Sequence, residues 1–188
     1  MGSFYTNLTV RGPAPEAVAA ELKGRSALVS PPINGSVVVF DEESEGQDPK
    51  VLSKLASRLS SRFSCPVLAV LNHDDDVLWF QLYHAGKLLD EYDSYPGFSD
   101  GNDSHIQPRG GDAKALCDAF GSSNYDDVER VLRKTSLGDD GYTFAVERHD
   151  ELAQALNLPP FGVGTGFNYI EEDELPEGLD PADLLRVT

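Results

Sequence analysis

The sequence predicts an α+β fold built on a mostly antiparallel sheet, and three observations predict it. Between Pro66 and Ser94 two segments dense in β-branched, leucine and aromatic residues, Val67–Leu71 and Val77–Tyr83, flank the turn His73-Asp74-Asp75-Asp76. A second turn, His84-Ala85-Gly86-Lys87, leads into Leu88–Asp93, so the stretch reads as a three-strand meander. An Asn34-Gly35 dipeptide between apolar runs marks a further hairpin, because that pair tolerates positive φ at both turn corners. Helical periodicity of three and four then dominates residues 49–63 and most of the chain beyond 112.

Taken in order, Phe4–Arg11 is a strand of mixed polarity ended by Gly12 and Pro13. Pro15-Glu16 opens a helix whose stripe is Val18, Ala19 and Leu22, closed by Gly24. Ser26–Ser30 and Ser36–Phe40 are the hairpin strands. Pro31-Pro32 cannot donate to a ladder, which makes the first of the two an outer strand. After the acidic loop Asp41–Gln47, Asp48 caps a helix with Pro49 at its first position. Val51, Leu52, Leu55, Ala56, Leu59 and Phe63 form its apolar face, and Lys50, Lys54, Arg58 and Arg62 a cationic stripe along its flank, within reach of the acidic loop. The connection from Asp93 to Gly111 is too rich in Gly, Ser, Asp and Pro for regular structure. Asp112–Phe120, Tyr125–Lys134 and Phe144–Leu156 read as helices, with Leu116 and Phe120, then Val128, Val131 and Leu132, then Val146, Leu152 and Leu156 inward. Phe161–Ile170 reads as a short strand and Pro181–Val187 as a last helical turn after an acidic tail.

Up to Asn72 the order strand, helix, strand, strand, helix, strand resembles the ferredoxin-like βαββαβ unit, here extended by the meander. The resemblance concerns element order over about 70 residues and carries no activity with it. With Ala85-Gly86 as a two-residue loop, Trp79 is expected opposite Tyr92, Gln81 opposite Asp90 and Tyr83 opposite Leu88, with Leu78, Phe80, Leu82 and Leu89 on the other face. Both faces are then apolar, so the N-terminal helices cover one and a C-terminal helical segment the other. The expected organisation is a sheet domain over 1–95, a loop over 96–111 and a helical extension over 112–188, all one compact unit.

Composition bounds the function classes. The formal charge of −17 argues against a phosphate backbone or an anionic membrane surface as partner and favours a basic protein. Two cysteines, Cys65 and Cys117, form no CxxC and sit among apolar residues, as in a reducing cytosol. No run approaches a membrane span or a signal peptide, and the expected compartment is the cytoplasm. Met1-Gly2-Ser3-Phe4-Tyr5-Thr6 fits the minimal pattern for lipidation of Gly2 and equally a plain first strand.

Two constellations are candidates for chemistry. His73, Asp74, Asp75 and Asp76 share one turn, and the meander brings Asp93 and Ser94 to the same sheet end, where the loop with Asp100, Asn102, Asp103 and His105 begins. Hard cations need such converging oxygens, so Ca²⁺ or Mg²⁺ would be the ion, although the spacing matches no EF-hand or zinc pattern and Asp-rich turns are commonly solvated. The second is the patch Trp79, Gln81, Tyr83, Asp90 and Tyr92, polar groups among aromatics in the manner of a binding cleft. No catalytic residue is assigned. His149 reads as a surface or interface histidine, and Gly162-Val163-Gly164-Thr165-Gly166 fails as a nucleotide loop because Phe167 replaces the third glycine and no helix is expected after it. No motif implies a cofactor. The expectation is a non-catalytic acidic binding or regulatory module, inhibitor- or immunity-like. Its alternatives are a divalent-metal-dependent hydrolase or small-molecule enzyme at the His73–Asp76 and Asp93 corner, and a homodimer subunit.

Overall fold

The computed structural model describes residues 2–98, 107–136 and 140–188. Local rules place most elements. In the helix α2 (Pro49–Phe63) the Asp48 carboxylate accepts the Lys50 amide at 2.9 Å, Leu52, Leu55, Ala56 and Leu59 are buried, and Ser64 ends the helix with φ of 49°. The turn between β5 (Val77–His84) and β6 (Lys87–Asp93) puts Ala85 and Gly86 at φ of 50° and 78°, the tight primed geometry that matches strand twist.

The remaining elements are β1 (Tyr5–Arg11), α1 (Pro15–Glu21), β2 (Ala27–Val29), β3 (Ser36–Asp41), β4 (Pro66–His73), β7 (Arg109–Gly110), α3 (Ala113–Phe120), α4 (Tyr125–Arg133), α5 (Ala145–Leu156), α6 (Phe167–Glu171) and β8 (Leu185–Val187). The fold is α+β, and the described residues form an eight-stranded antiparallel sheet in the order β7-β6-β5-β4-β1-β3-β2-β8 and six helices.

Both faces of the sheet are apolar and both are covered. Leu8 and Val10 of β1, Val37 and Val39 of β3 and Val67, Ala69 and Leu71 of β4 pack beneath α1 and α2. On the reverse face Leu68, Val70, Leu78, Phe80, Leu82 and Tyr92 meet α3, α4 and α5. The same face over β2 and β3 presents Leu28, Val38 and Phe40 to Phe161, Phe167, Ile170 and Leu179. The C-terminal third therefore folds back over the side the early helices leave bare.

Several expectations are corrected. β6 carries a bulge: Tyr83 pairs with Leu88 as expected, but Leu82 pairs with Asp90, Gln81 with Glu91, Phe80 with Tyr92 and Trp79 with Asp93. Leu89 is the extra residue and, instead of joining Phe80 in the core, is 50% exposed. β2 is not an outer strand, because β8 pairs along it, Ala27 with Val187 and Val29 with Leu185. The last segment is thus a 3-10 turn over Pro181–Asp183 and then a strand. Phe161–Ile170 is a 3-10 turn followed by α6, not a strand.

Burial ranks two apolar residues of the meander. Phe80→Ala, a fully buried ring 4.9 Å from that of Tyr92, should lower unfolding free energy by about 3–5 kcal/mol in urea titration. Leu88→Ala on the half-exposed edge should cost less than about 1 kcal/mol in the same assay.

Candidate functional site

The bulge divides the aromatic patch. Trp79, Gln81 and Tyr83 face α2, whereas Tyr92 stacks on Phe80 beneath α4 and α5, and Asp90 turns toward α3. On the α2 side, Gln81 Oε1 accepts from the Tyr83 hydroxyl at 2.7 Å and lies 2.7 Å from Ser53 Oγ of α2, and Gln81 Nε2 donates to Glu91 Oε2 at 2.5 Å. Its amide is satisfied within the fold and docks helix on sheet. Asp90 Oδ2 accepts the Asp112 amide at 2.6 Å where α3 begins, and burial holds its carboxyl above the usual range. The five residues expected to line one cleft therefore serve two separate packing interfaces.

The acidic corner is likewise drawn into the fold. Asp74 and Asp75 form the turn with φ of 51° and 62°. Asp75 caps α5 from outside: its carbonyl accepts the Ala145 amide at 2.6 Å and its Oδ1 accepts the Val146 amide at 3.0 Å, with Asn72 Nδ2 at 3.2 Å. Asp74 Oδ1 accepts the Gly2 amide at 3.1 Å. His73 Nδ1 lies 2.6 Å from Gln47 Oε1, with the rings of Phe4 and Phe98 set edgewise at 5.1 and 5.8 Å. Asp93 Oδ1 accepts the Tyr95 amide at 2.9 Å, and desolvation raises its pKa. Ser94 is fully buried, its Oγ accepting the Leu78 amide at 2.8 Å. Partial desolvation, then the charges of Asp74 and Asp75, raise that of Asp76. Among the described residues no three of His, Cys, Asp and Glu are placed to hold a metal. Asp100, Asn102, Asp103 and His105 lie outside the described residues.

Two buried polar groups, Arg148 and His149, and the half-buried Glu45 take packing roles that their residue types do not suggest. Arg148, fully buried, donates through Nη1 to the Tyr92 hydroxyl (2.9 Å) and to the carbonyls of Val131 (2.8 Å) and Lys134 (2.6 Å), and through Nη2 to Ser136 Oγ (3.2 Å). The guanidinium thus meets the electronegative end of α4 and lies 4.4 Å from the Tyr142 ring centre. Of the two places expected for His149, surface or interface, it takes the interface, buried between α5 and β1: its Nδ1 lies 2.8 Å from the Tyr5 hydroxyl, and burial pushes its pKa down to about 4. Glu45 accepts the Thr6 amide and hydroxyl at 3.1 and 3.0 Å and also bonds the backbone of Phe167 and Asn168 at the start of α6. A helix does follow the glycine-rich run, but Glu45 stands where a phosphate would, and a Cβ at Gly166 would lie 2.5 Å from its Oε1. The spacing of Ala145, Arg148, His149, Leu152 and Leu156 was the signal for the inward pair.

Charge is unevenly spread over the surface. From Glu171 to Asp183 seven acids are exposed, Glu171, Glu172, Asp173, Glu174, Glu177, Asp180 and Asp183. Arg186 pairs with Glu171 at 2.5 Å, the one ion pair of this group among the described residues. The segment is anchored by Leu179 and by the partly buried Leu175 and Leu184 in the core against β2 and β3. The cationic stripe of α2 lies on the other side of the sheet. Its Arg58 and Arg62 pair with Glu21 of α1 rather than with the acidic loop, whose Asp41 and Glu43 instead hold Arg25.

Asp75→Ala should cost about 1–2 kcal/mol in urea titration through the lost cap of α5, whereas Asp76→Ala should be neutral or slightly stabilising. His149 is neutral in the fold and takes up a proton below its ordinary 6.5 only on unfolding. Its stabilising effect is therefore complete above that pH and is lost as pH falls toward about 4. Between pH 7 and 4 the loss should reach about 3 kcal/mol, and the stability slope of His149→Gln should be shallower over that window. Equal slopes would remove this assignment.

Comparison of the chain with protein-family models, with curated protein sequences and with solved structures finds no match.

Proposed function

We propose that the protein is a non-catalytic binding module that docks a basic protein partner on its acidic C-terminal face. The observation that carries this reading is the row of seven exposed carboxylates over 171–183, held by buried Leu179 with partly buried Leu175 and Leu184 and met, among the described residues, by a single cation. Anchored like charges of this density steer a complementary surface and set its register, which raises association rate and selectivity more than intrinsic affinity. The chain's net charge of −17 works in the same direction and against self-association through this face. Asp75, Gln81 and Asp90 are taken up by bonds within the fold, which supports placing recognition on the exposed carboxylates of the C-terminal face and not on the two clusters expected from the sequence.

The strand order β4-β1-β3-β2, with α1 and α2 on one face, supports reading the first 73 residues as a ferredoxin-like βαββαβ unit lengthened by the meander. Two buried free cysteines support a cytoplasmic setting. Among the described residues no helix is long and apolar enough to cross a membrane.

The test is capture of partners by the full chain and by a variant with Glu172, Asp173, Glu174 and Glu177 all changed to Gln. Capture should weaken about tenfold or more as salt rises from about 0.05 to 0.5 M, and the variant should lose it at low salt. Capture indifferent to both salt and neutralisation refutes the reading.

A further inference from the structure

On the α1–α2 side, remote from the acidic face, lies a cleft of about 330 Å³ that the binding-module reading does not use. Four cations, Arg25, Lys50, Lys54 and Arg58, and one carboxylate, Glu43, line it above a floor of Val51 and Leu55. The cations differ in what they already hold. Arg25 grips Asp41 with two bonds of 2.7 Å and reaches Glu43 Oε2 at 2.8 Å, and Arg58 donates to the Glu21 carboxylate at 3.0 Å and to its carbonyl at 2.6 Å. Among the described residues Lys50 and Lys54 have no ion pair.

This is an unusual arrangement for a chain with 32 acids and 15 bases. Two like charges four residues apart on a helix repel, and an abundance of carboxylates nearby leaves them uncompensated. The paired arginines fix the walls, and the ammoniums of the two lysines, which are set four residues and about 6 Å of helical rise apart, are the groups left with donors to give.

We propose that this cleft binds a phosphate monoester with a small apolar body, the phosphate bridging Lys50 and Lys54 and the body resting on Val51 and Leu55. A dianion balances the charge of two ammoniums, which a monocarboxylate cannot, and lysine binds phosphate as a point charge without demanding a fixed fork. The apolar floor separates an ester from free phosphate, since only the ester gains by covering it. Nucleic acid is the poorer occupant, because Glu43 of the acid-rich Asp41–Gln47 loop is part of the lining and repels a phosphate backbone.

The test is calorimetric titration of the full chain at fixed ionic strength with phenyl phosphate, inorganic phosphate and phenol. Phenyl phosphate should bind about tenfold more tightly than inorganic phosphate, with no binding of phenol. Lys50→Gln and Lys54→Gln, both exposed substitutions, should each weaken phenyl phosphate about five- to tenfold, whereas Lys114→Gln, exposed on α3 and paired with Asp118, should leave it unchanged. Absence of phenyl phosphate binding, equal losses in Lys114→Gln, or wild-type affinity in the Lys50→Gln/Lys54→Gln double variant overturns the site. Equal affinity for inorganic and phenyl phosphate overturns its assignment to an ester.

Discussion

The structure depends on one constraint, that a sheet apolar on both sides must be covered on both sides. In the middle of the sheet β1 sends Leu8 and Val10 toward the helices of the first half, while its neighbour β4 sends Leu68 and Val70 the other way. Neither set of side chains can be left in water, and α1 with α2 reach only one of them. The chain beyond Arg109 is thereby drawn back over the sheet, α3 to α5 on the meander half and α6 with the tail on the hairpin half.

Covering an apolar face with helices creates a second requirement, because every helix end brings backbone groups that lack partners. Polar residues at the seam, fully buried at Arg148 and half-buried at Asp75, Glu45 and Asp90, meet it. Asp75 takes amides at the start of α5, Arg148 takes carbonyls at the end of α4, Glu45 takes amides at the start of α6, and Asp90 takes the Asp112 amide at the start of α3. Asn7 of β1 donates to the carbonyls of Gly162 at 2.7 Å and Thr165 at 2.9 Å, fastening the loop before α6. Side chains that in the sequence look like equipment for chemistry thus act as bolts between layers, which leaves the exposed surface, acidic at one end and locally cationic on α2, as the place where recognition can occur.

Much of this was legible in the sequence, and the parts that were not share a cause. The meander, both tight turns, the two-sided sheet and the five helices α1 to α5 follow from strong local periodicity and turn chemistry, as at Asn34-Gly35, Ala85-Gly86 and the α2 stripe. The bulge was hidden because Leu88 and Leu89 are both apolar, so alternation gives no hint of which is the extra residue, and one residue of slip moves Tyr92 to the opposite face. β7 and β8 are two and three residues long and exist only through pairing with distant strands. Arg148 and His149 sit at inward helical positions, and it was their chemical type, not their place in the pattern, that pointed to solvent.

The pairing of β2 with β8 joins Ala27 to Val187 across nearly the whole chain, and β1 in the middle waits for both β3 and β4. Loops of that length must be closed before the contacts that reward them can form, so topology of this kind places the protein among slow folders. Without β8, β2 would present an open row of amides and carbonyls to any neighbouring chain, so the three residues Leu185–Val187 shield that strand from misassembly.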